Sequence, residues 1–224
     1  MYRDRHDAGR RLAQELEPYR AMSPVIVALP RGGVVVGHEV ASALDAPLEI
    51  LTVRKLGAPN HAELAIGAVV DLSGACGGDG PEVLVDELAG RLGVGPDYIE
   101  EEVGRQLAEL RRREEAYRGG QPRVDLRSRV LILVDDGIAT GSTTRAALRA
   151  LRRCSPQRLI LAVPVGPPEA IEAMKSEADD VVCPVMPQWF RAVGEHYEDF
   201  SQTTDDQVVA LLQRAWARQH RDAP

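Results

Sequence analysis

The stretch Val130-Leu131-Ile132-Leu133-Val134-Asp135-Asp136-Gly137-Ile138-Ala139-Thr140-Gly141-Ser142-Thr143-Thr144 decides the fold. Five apolar residues in a row, without alternation, read as a strand buried on both faces, as strands of parallel sheets are. The strand stops at two acids, and a loop of small and hydroxyl residues then leads into a helical segment from Ser142 to Arg153. Such a loop is an anion cradle. Gly137 and Gly141 let the backbone approach a phosphate, and the N–H groups at the start of the helix point at it. Thr140, Ser142 and Thr143 add hydroxyl donors. Two adjacent carboxylates above a phosphate would repel it unless something lies between, and a ribose ring with its 2′- and 3′-hydroxyls fills that role. The arrangement suits a sugar phosphate.

Outward from this segment the chain alternates strands and helices. Upstream, Pro24 precedes the apolar run Val25 to Leu29, then Pro30-Arg31-Gly32-Gly33, then a helical stretch through Leu44: strand, glycine turn, helix. Leu48 to Val53 reads as the next buried strand, ending in Arg54-Lys55, and Leu64 to Val70 as a further strand of a growing parallel sheet. Downstream come a strand from Arg158 to Val163, a helix after Pro167-Pro168, a short strand from Asp179 to Cys183, and a last helix. That helix opens on the capping-box pattern Thr204-Asp205-Asp206-Gln207. At the start, Asp4 or Asp7 caps a helix whose Ala8, Leu12 and Leu16 form one apolar stripe, read as an ordinary packing helix.

The rhythm predicts an α/β fold with a doubly wound, mainly parallel sheet, its ligands at the carboxyl ends of the strands. Residues 1–224 are read as a single domain with two additions. One is a helical flap insertion over about 71–120, with a Gly-rich connection from Ser73 to Pro81 and a long surface helix from Tyr98 to Tyr117. Its Glu100 to Glu102 and Arg111 to Arg113 read as a solvated face laced with i,i+4 ion pairs. The other addition is a small C-terminal hood over about 184–200.

The formal net charge of −7 and pI near 5.3 argue against a broad nucleic-acid or anionic-membrane surface, since both need a basic footprint. No stretch reaches the ~20 apolar residues of a membrane span, and the first residues lack the apolar core of a signal peptide, so a soluble cytoplasmic protein is expected. Cys76, Cys154 and Cys183 are odd in number, far apart and form no CxxC pair; neither a disulfide framework nor a zinc site is expected.

The quoted segment resembles, along its whole length, the phosphoribosyl-pyrophosphate signature of type I phosphoribosyltransferases. The resemblance implies that Asp135 and Asp136 hold the ribose hydroxyls and that Gly137, Ile138, Ala139, Thr140, Gly141, Ser142 and Thr143 bind the 5-phosphate. Pro30-Arg31-Gly32-Gly33 then resembles the pyrophosphate loop, where that family commonly has a non-proline cis peptide, and Arg54-Lys55 the basic pair that faces the same pyrophosphate. Mg²⁺ is the implied cofactor, touching Asp135 or Asp136 directly or through water. Of nine aromatic residues, Trp189, Phe190, Tyr197 and Phe200 fall within twelve positions. This resembles the family's hood, which implies that Trp189 or Phe190 stacks on an aromatic acceptor. Over nearly its whole length the chain is similar to a poorly characterised group of bacterial phosphoribosyltransferases, through Arg54 to Pro59 and Val193 to Phe200.

The implied partners are phosphoribosyl pyrophosphate and an aromatic nitrogenous acceptor of unknown identity; nucleic acid and membrane are not expected, and a homodimer is left open. Ala139 stands where hypoxanthine-guanine enzymes carry an aspartate that manages a purine ring proton, which argues against a 6-oxopurine. Two rival readings use the same signature: a regulatory protein that binds the donor without turnover, and a pyrophosphokinase that makes the donor.

Overall fold

The computed structural model describes residues 1–77 and 80–219; Gly78 and Asp79 of the Gly-rich connection lie outside the described residues. Five parallel strands form the main sheet in the order β2-β1-β6-β7-β8. They are β1 (Val25–Ala28), β2 (Leu48–Ile50), β6 (Val130–Val134), β7 (Arg158–Ala162) and β8 (Asp180–Val182). β1 and β6, as expected, are buried at every position.

Alternate residues of these two strands feed different layers. Ile26, Ala28, Ile132 and Val134 pack with α1 (Arg5–Glu15), α2 (Gly32–Leu44) and α7 (Asp205–Gln219). Val25, Val27, Leu131 and Leu133 pack on the opposite face with α5 (Ser142–Arg152) and α6 (Pro168–Met174). The sheet is therefore doubly wound, as its continuous apolar runs imply. α1 starts at Asp4, whose side chain accepts from Asp7 N, and Ala8, Leu12 and Leu16 are buried. The capping box of α7 forms in both directions, Gln207 N to Thr204 Oγ1 at 3.2 Å and Thr204 N to Gln207 Oε1 at 2.9 Å.

The expected continuation of the parallel sheet is corrected. The run from Leu48 divides, with β2 ending at Ile50 and a new strand, β3 (Val53–Ala58), starting after Thr52. β3 pairs antiparallel with β4 (His61–Asp71), which pairs antiparallel with β5 (Pro81–Val85), in a separate three-stranded sheet. Leu64 to Val70 belongs to β4. The reason is connection length: β3 and β4 are joined through Pro59-Asn60, with Asn60 in the left-handed region at φ 61°, whereas a parallel pair needs a crossover of about a dozen residues.

α3 (Glu87–Arg91) follows β5, and α4 (Pro96–Arg118) lies across β3 and β4, packing Tyr98, Ile99, Val103 and Leu107 against Leu56, Ile66 and Val69. A second correction concerns the cysteines. Cys76 and Cys154 are paired in a disulfide across 78 residues, with Cα atoms 4.7 Å apart. Leu126 N donates to Ala75 O at 2.9 Å, which ties the residue before Cys76 to the segment preceding β6, and the disulfide ties Cys76 to Cys154, just past α5. Cys183 is free. Among the described residues no helix is long and apolar enough to cross a membrane.

Candidate active site

Chain order places the site. From β1 the connections run outward to β2 on one side, and from β6 to β7 and β8 on the other. The crevice beyond the carboxyl ends of β1 and β6 is thus the switch point of the sheet, where open α/β sheets hold their ligands. Ala28 is in register with Val134, and Leu29 N donates to Val134 O at 3.0 Å. The next residues, Pro30-Arg31-Gly32 on one strand and Asp135-Asp136 on the other, therefore stand side by side. The peptide between Pro30 and Arg31 is cis.

Gly32 and Gly33 are required by this proximity. A Cβ on Gly32 would lie 2.6 Å from Asp136 Cγ, and one on Gly33 would lie 2.9 Å from Asp135 Cα. No side chain fits between the turn and the acids without separating them.

Asp135 Oδ1 accepts from Asp136 N at 2.9 Å. Burial, and then the neighbouring Asp136 carboxylate, hold the Asp135 acid well above the usual carboxylate range. Asp136 Oδ2 accepts from Arg5 Nε at 2.7 Å, and its backbone carbonyl accepts from Tyr197 Oη at 2.5 Å. Burial raises the Tyr197 phenol, so it remains a donor.

The loop after the acids is held by Ile138, whose N donates to Val165 O at 2.9 Å and whose side chain is buried in the α5–α6 layer. Ile138 thus offers neither an N–H nor a side chain to the crevice. Gly141, at φ +75°, is the N-cap of α5 and makes no side-chain cap, so the first-turn N–H groups stay available to an anion. Thr140 and Ser142 are exposed, Thr143 is half-buried and Thr144 is buried; Ala139 is exposed.

Thr143 also lines a cleft of about 230 Å³ with Arg31, Arg54, Arg112 and Arg113. Arg54 enters it with Nε bonded to Gln106 Oε1 at 2.9 Å. Lys55, on the opposite face of the β3 pleat, is exposed and lies instead in a groove with Ser142, Arg145 and Asp86. The structure therefore brings Arg31, Arg54 and Thr143 together and sets Lys55 apart from them.

The two rings of the 184–200 stretch separate as well. Phe190 stacks on His196, centroids 5.4 Å apart and planes at 15°, in a cluster with Tyr2, Val165 and Tyr197. Trp189 is 92% exposed. The 184–200 stretch is tied to the first residues of the chain: Tyr2 N donates to His196 O and Glu198 N to Tyr2 O.

Two groups of residues escaped the sequence reading. α1 is more than a packing helix, because Arg5 reaches the acid pair and lies 3.8 Å over the Phe200 ring. A lone arginine in a charged first turn carries no signal of this, since the contact spans 131 positions. Nor is Arg111 to Arg113 only a solvated face, since Arg112 and Arg113 border the cleft.

Comparison with known proteins gives the family of the chain. Residues 3–200 match the family model described as the phosphoribosyl transferase domain. A Mycobacterium tuberculosis protein named a putative phosphoribosyl transferase, found in two strains, is 44% identical over 222 residues, covering 99% of this chain and 48% of that protein. The chain thus spans about half the length of the curated relatives it matches. The crystal structure of TT1426 from Thermus thermophilus superposes with a TM-score of 0.82 at 42% identity, covering 96% of this chain and 98% of that one. With its switch-point crevice, its acid pair and its uncapped glycine-led helix start, the chain belongs to the phosphoribosyl transferase domain family.

Proposed function

We propose that this chain is a phosphoribosyltransferase that takes ribose 5-phosphate from Mg²⁺-bound phosphoribosyl pyrophosphate, passes it to a flat aromatic nitrogenous acceptor and releases pyrophosphate. The observation that carries the reading is what converges on the crevice. An open helix start, a carboxylate pair beside the Gly32-Gly33 turn, and an arginine-lined cleft that shares Thr143 with the helix start meet beyond the ends of β1 and β6. A molecule that carries a phosphate, ribose hydroxyls and a pyrophosphate has a partner for each of its groups there.

In this reading the N–H groups of α5 and the hydroxyls of Thr140, Ser142 and Thr143 hold the 5-phosphate. Asp135 and Asp136 accept from the ribose hydroxyls, and Arg31 and Arg54 face the pyrophosphate. The bond from the anomeric carbon to the pyrophosphate oxygen breaks with its electron pair going to that oxygen. The acceptor nitrogen's lone pair forms the new bond, and the acceptor gives up a proton. Positioning and water exclusion do most of the work. The 71–120 insertion is proposed as the covering flap and residues 184–200 as the acceptor hood.

The donor set fits Mg²⁺. Asp136 Oδ2 is taken by Arg5 and Asp135 Oδ1 by Asp136 N, which leaves one oxygen on each acid. Among the described residues no cluster of three or more metal-ligating side chains is present. A site with few protein oxygens suits an ion that keeps its waters and binds substrate phosphates. When bound, Mg²⁺ would neutralise charge developing on the leaving pyrophosphate.

The test is a pyrophosphate-release assay with phosphoribosyl pyrophosphate, Mg²⁺ and a panel of bases, alongside calorimetry with the donor alone. Release that requires a base supports the transferase. Donor binding with no release for any base in the panel would instead favour the regulatory reading, for which the same crevice would serve.

A further inference from the structure

The helix α4 presents Gln106, Glu109, Arg113 and Tyr117 at the i, i+3 and i+4 spacings that share one face. Each is engaged at the edge of the arginine-lined cleft. Gln106 Oε1 accepts from Arg54 Nε at 2.9 Å. Glu109 Oε1 accepts from Arg113 Nε at 2.7 Å and from Arg112 Nη2 at 3.0 Å, and its Oε2 accepts from Arg112 Nε at 2.8 Å. Tyr117 Oη donates to Asp205 Oδ1 at 2.7 Å, and the same oxygen stands 3.8 Å from Arg31 Nη1.

Four guanidinium groups, those of Arg31, Arg54, Arg112 and Arg113, thus border one cleft of about 230 Å³. The carboxylates that answer them are Glu109 and Asp205, which leaves a surplus of positive charge. Glu109 holds Arg113 by Nε alone; among the described residues its terminal nitrogens have no hydrogen-bond partner. The run of three arginines is sorted by direction, since Arg111 turns away to Asp71 at 3.1 Å. The cleft adjoins the phosphate cradle through Thr143.

We infer that Arg112 and Arg113 bind the pyrophosphate of the donor, so that α4 is a wall of the leaving-group site rather than a solvated strut. Glu109 sets the two guanidinium planes; Arg113 keeps both terminal nitrogens for phosphate oxygens, and Arg112, whose Nε–Nη2 fork is held by Glu109, offers its Nη1. The inference rests on the donor reading above.

The experiment is calorimetry on the full chain with Mg²⁺-pyrophosphate and, separately, ribose 5-phosphate as probes. Arg113→Gln weakens pyrophosphate binding about tenfold and Arg112→Gln about threefold to tenfold, as expected for lost charge-assisted hydrogen bonds at a half-exposed site. Ribose 5-phosphate affinity stays within about twofold. Arg111→Gln, which removes the same charge one residue away, leaves pyrophosphate affinity within about twofold; circular dichroism and thermal melting confirm that each variant is folded. An equal loss in Arg111→Gln would mean that only the general field of the helix matters, and would overturn the inference. So would unchanged pyrophosphate affinity in both Arg112→Gln and Arg113→Gln. Wild-type protein that binds ribose 5-phosphate but not pyrophosphate overturns the inference and leaves the cradle standing. Protein that binds neither overturns the donor reading with it.

Discussion

Arg5 Nε donates to Asp136 Oδ2 at 2.7 Å, although 131 positions separate the two residues. The side chains are only 11% and 17% exposed, so the pair sits where water screens it weakly. The same guanidinium lies over Phe200 and gives Nη1 to Ser201 O at 2.7 Å. One side chain from the first helical turn therefore ties an acid at the end of β6 to Phe200 and Ser201. It also fixes which carboxylate oxygen of Asp136 remains free for a ligand.

Because the pair is largely buried, removing one partner strands the other. Arg5→Met is expected to lower stability by about 2 to 4 kcal/mol, more than an exposed ion pair would cost. In a double-mutant cycle, adding Asp136→Asn restores part of that loss, with a coupling energy of about 1 to 3 kcal/mol. Urea denaturation of the four proteins measures it. A coupling near zero would reduce Arg5 to a packing residue.

The raised acid of Asp135 has a consequence for pH. The folded chain holds this proton more tightly than the unfolded chain does, so stability is greatest below the ordinary carboxylate range and declines as pH climbs through the raised folded value. Asp135→Asn removes that slope and is not destabilising at neutral pH. Binding of Mg²⁺-donor needs the carboxylate, so wild-type affinity increases with pH over the same window. Asp135→Asn loses roughly tenfold to hundredfold in donor affinity and shows a flat profile. Thermal melts and calorimetry between about pH 4 and 8 supply both curves. Equal donor affinity in the variant would remove Asp135 from the ribose site.

Much of this site was legible because its parts are local. The strand, acids and glycine-led helix start occupy fifteen consecutive residues, and the patterns that announce them are backbone patterns. The turn at Gly32-Gly33 was legible for the same reason. What the sequence hid was long-range. Arg5, and Cys76 with Cys154, bond to residues far along the chain, while Arg112 and Arg113 border a cleft lined by distant residues, and no local periodicity encodes a tertiary neighbour. The misreading of β4 is different in kind. Only Pro59 and Asn60 separate β3 from the His61 start of β4, too short for a parallel crossover, so connection length could have identified the hairpin.

Phosphate binding at the proposed cradle is expected to depend on backbone geometry more than on any hydroxyl. Gly141 stands at φ +75° at the start of α5, a conformation that costs a β-branched residue dearly. Its Cβ position lies 3.1 Å from Met174 Cε, the flexible end of a side chain, so Gly141→Ala can be accommodated sterically. That variant is expected to fold, to lose about 1 kcal/mol of stability, and to bind ribose 5-phosphate at least tenfold more weakly as the N–H groups lose alignment. Thr140→Ala, by comparison, lowers affinity by only about threefold. The reverse ranking would move the phosphate from the backbone to the hydroxyls.

The last expectation concerns the acceptor and separates two neighbouring rings. Trp189 is 92% exposed, so Trp189→Ala should change stability by no more than about 0.5 kcal/mol, as at other surface positions. Phe190 packs on His196 and against the Tyr2–Tyr197 cluster, so Phe190→Ala should cost about 1 to 3 kcal/mol. A large ring held in water without a folding role is available to a ligand. Stacking one base on it contributes about 1 to 3 kcal/mol, enough to raise the acceptor KM about fivefold or more in Trp189→Ala while kcat changes little. Stacking does not discriminate among bases, whereas the exposed Ala139 offers no carboxylate to manage a 6-oxopurine proton. Pyrophosphate release measured with adenine, hypoxanthine, guanine, uracil, orotate and nicotinate is therefore expected to be poorest with hypoxanthine and guanine. Efficient turnover of either overturns the argument from Ala139, and an unchanged acceptor KM in Trp189→Ala removes that ring from the acceptor site.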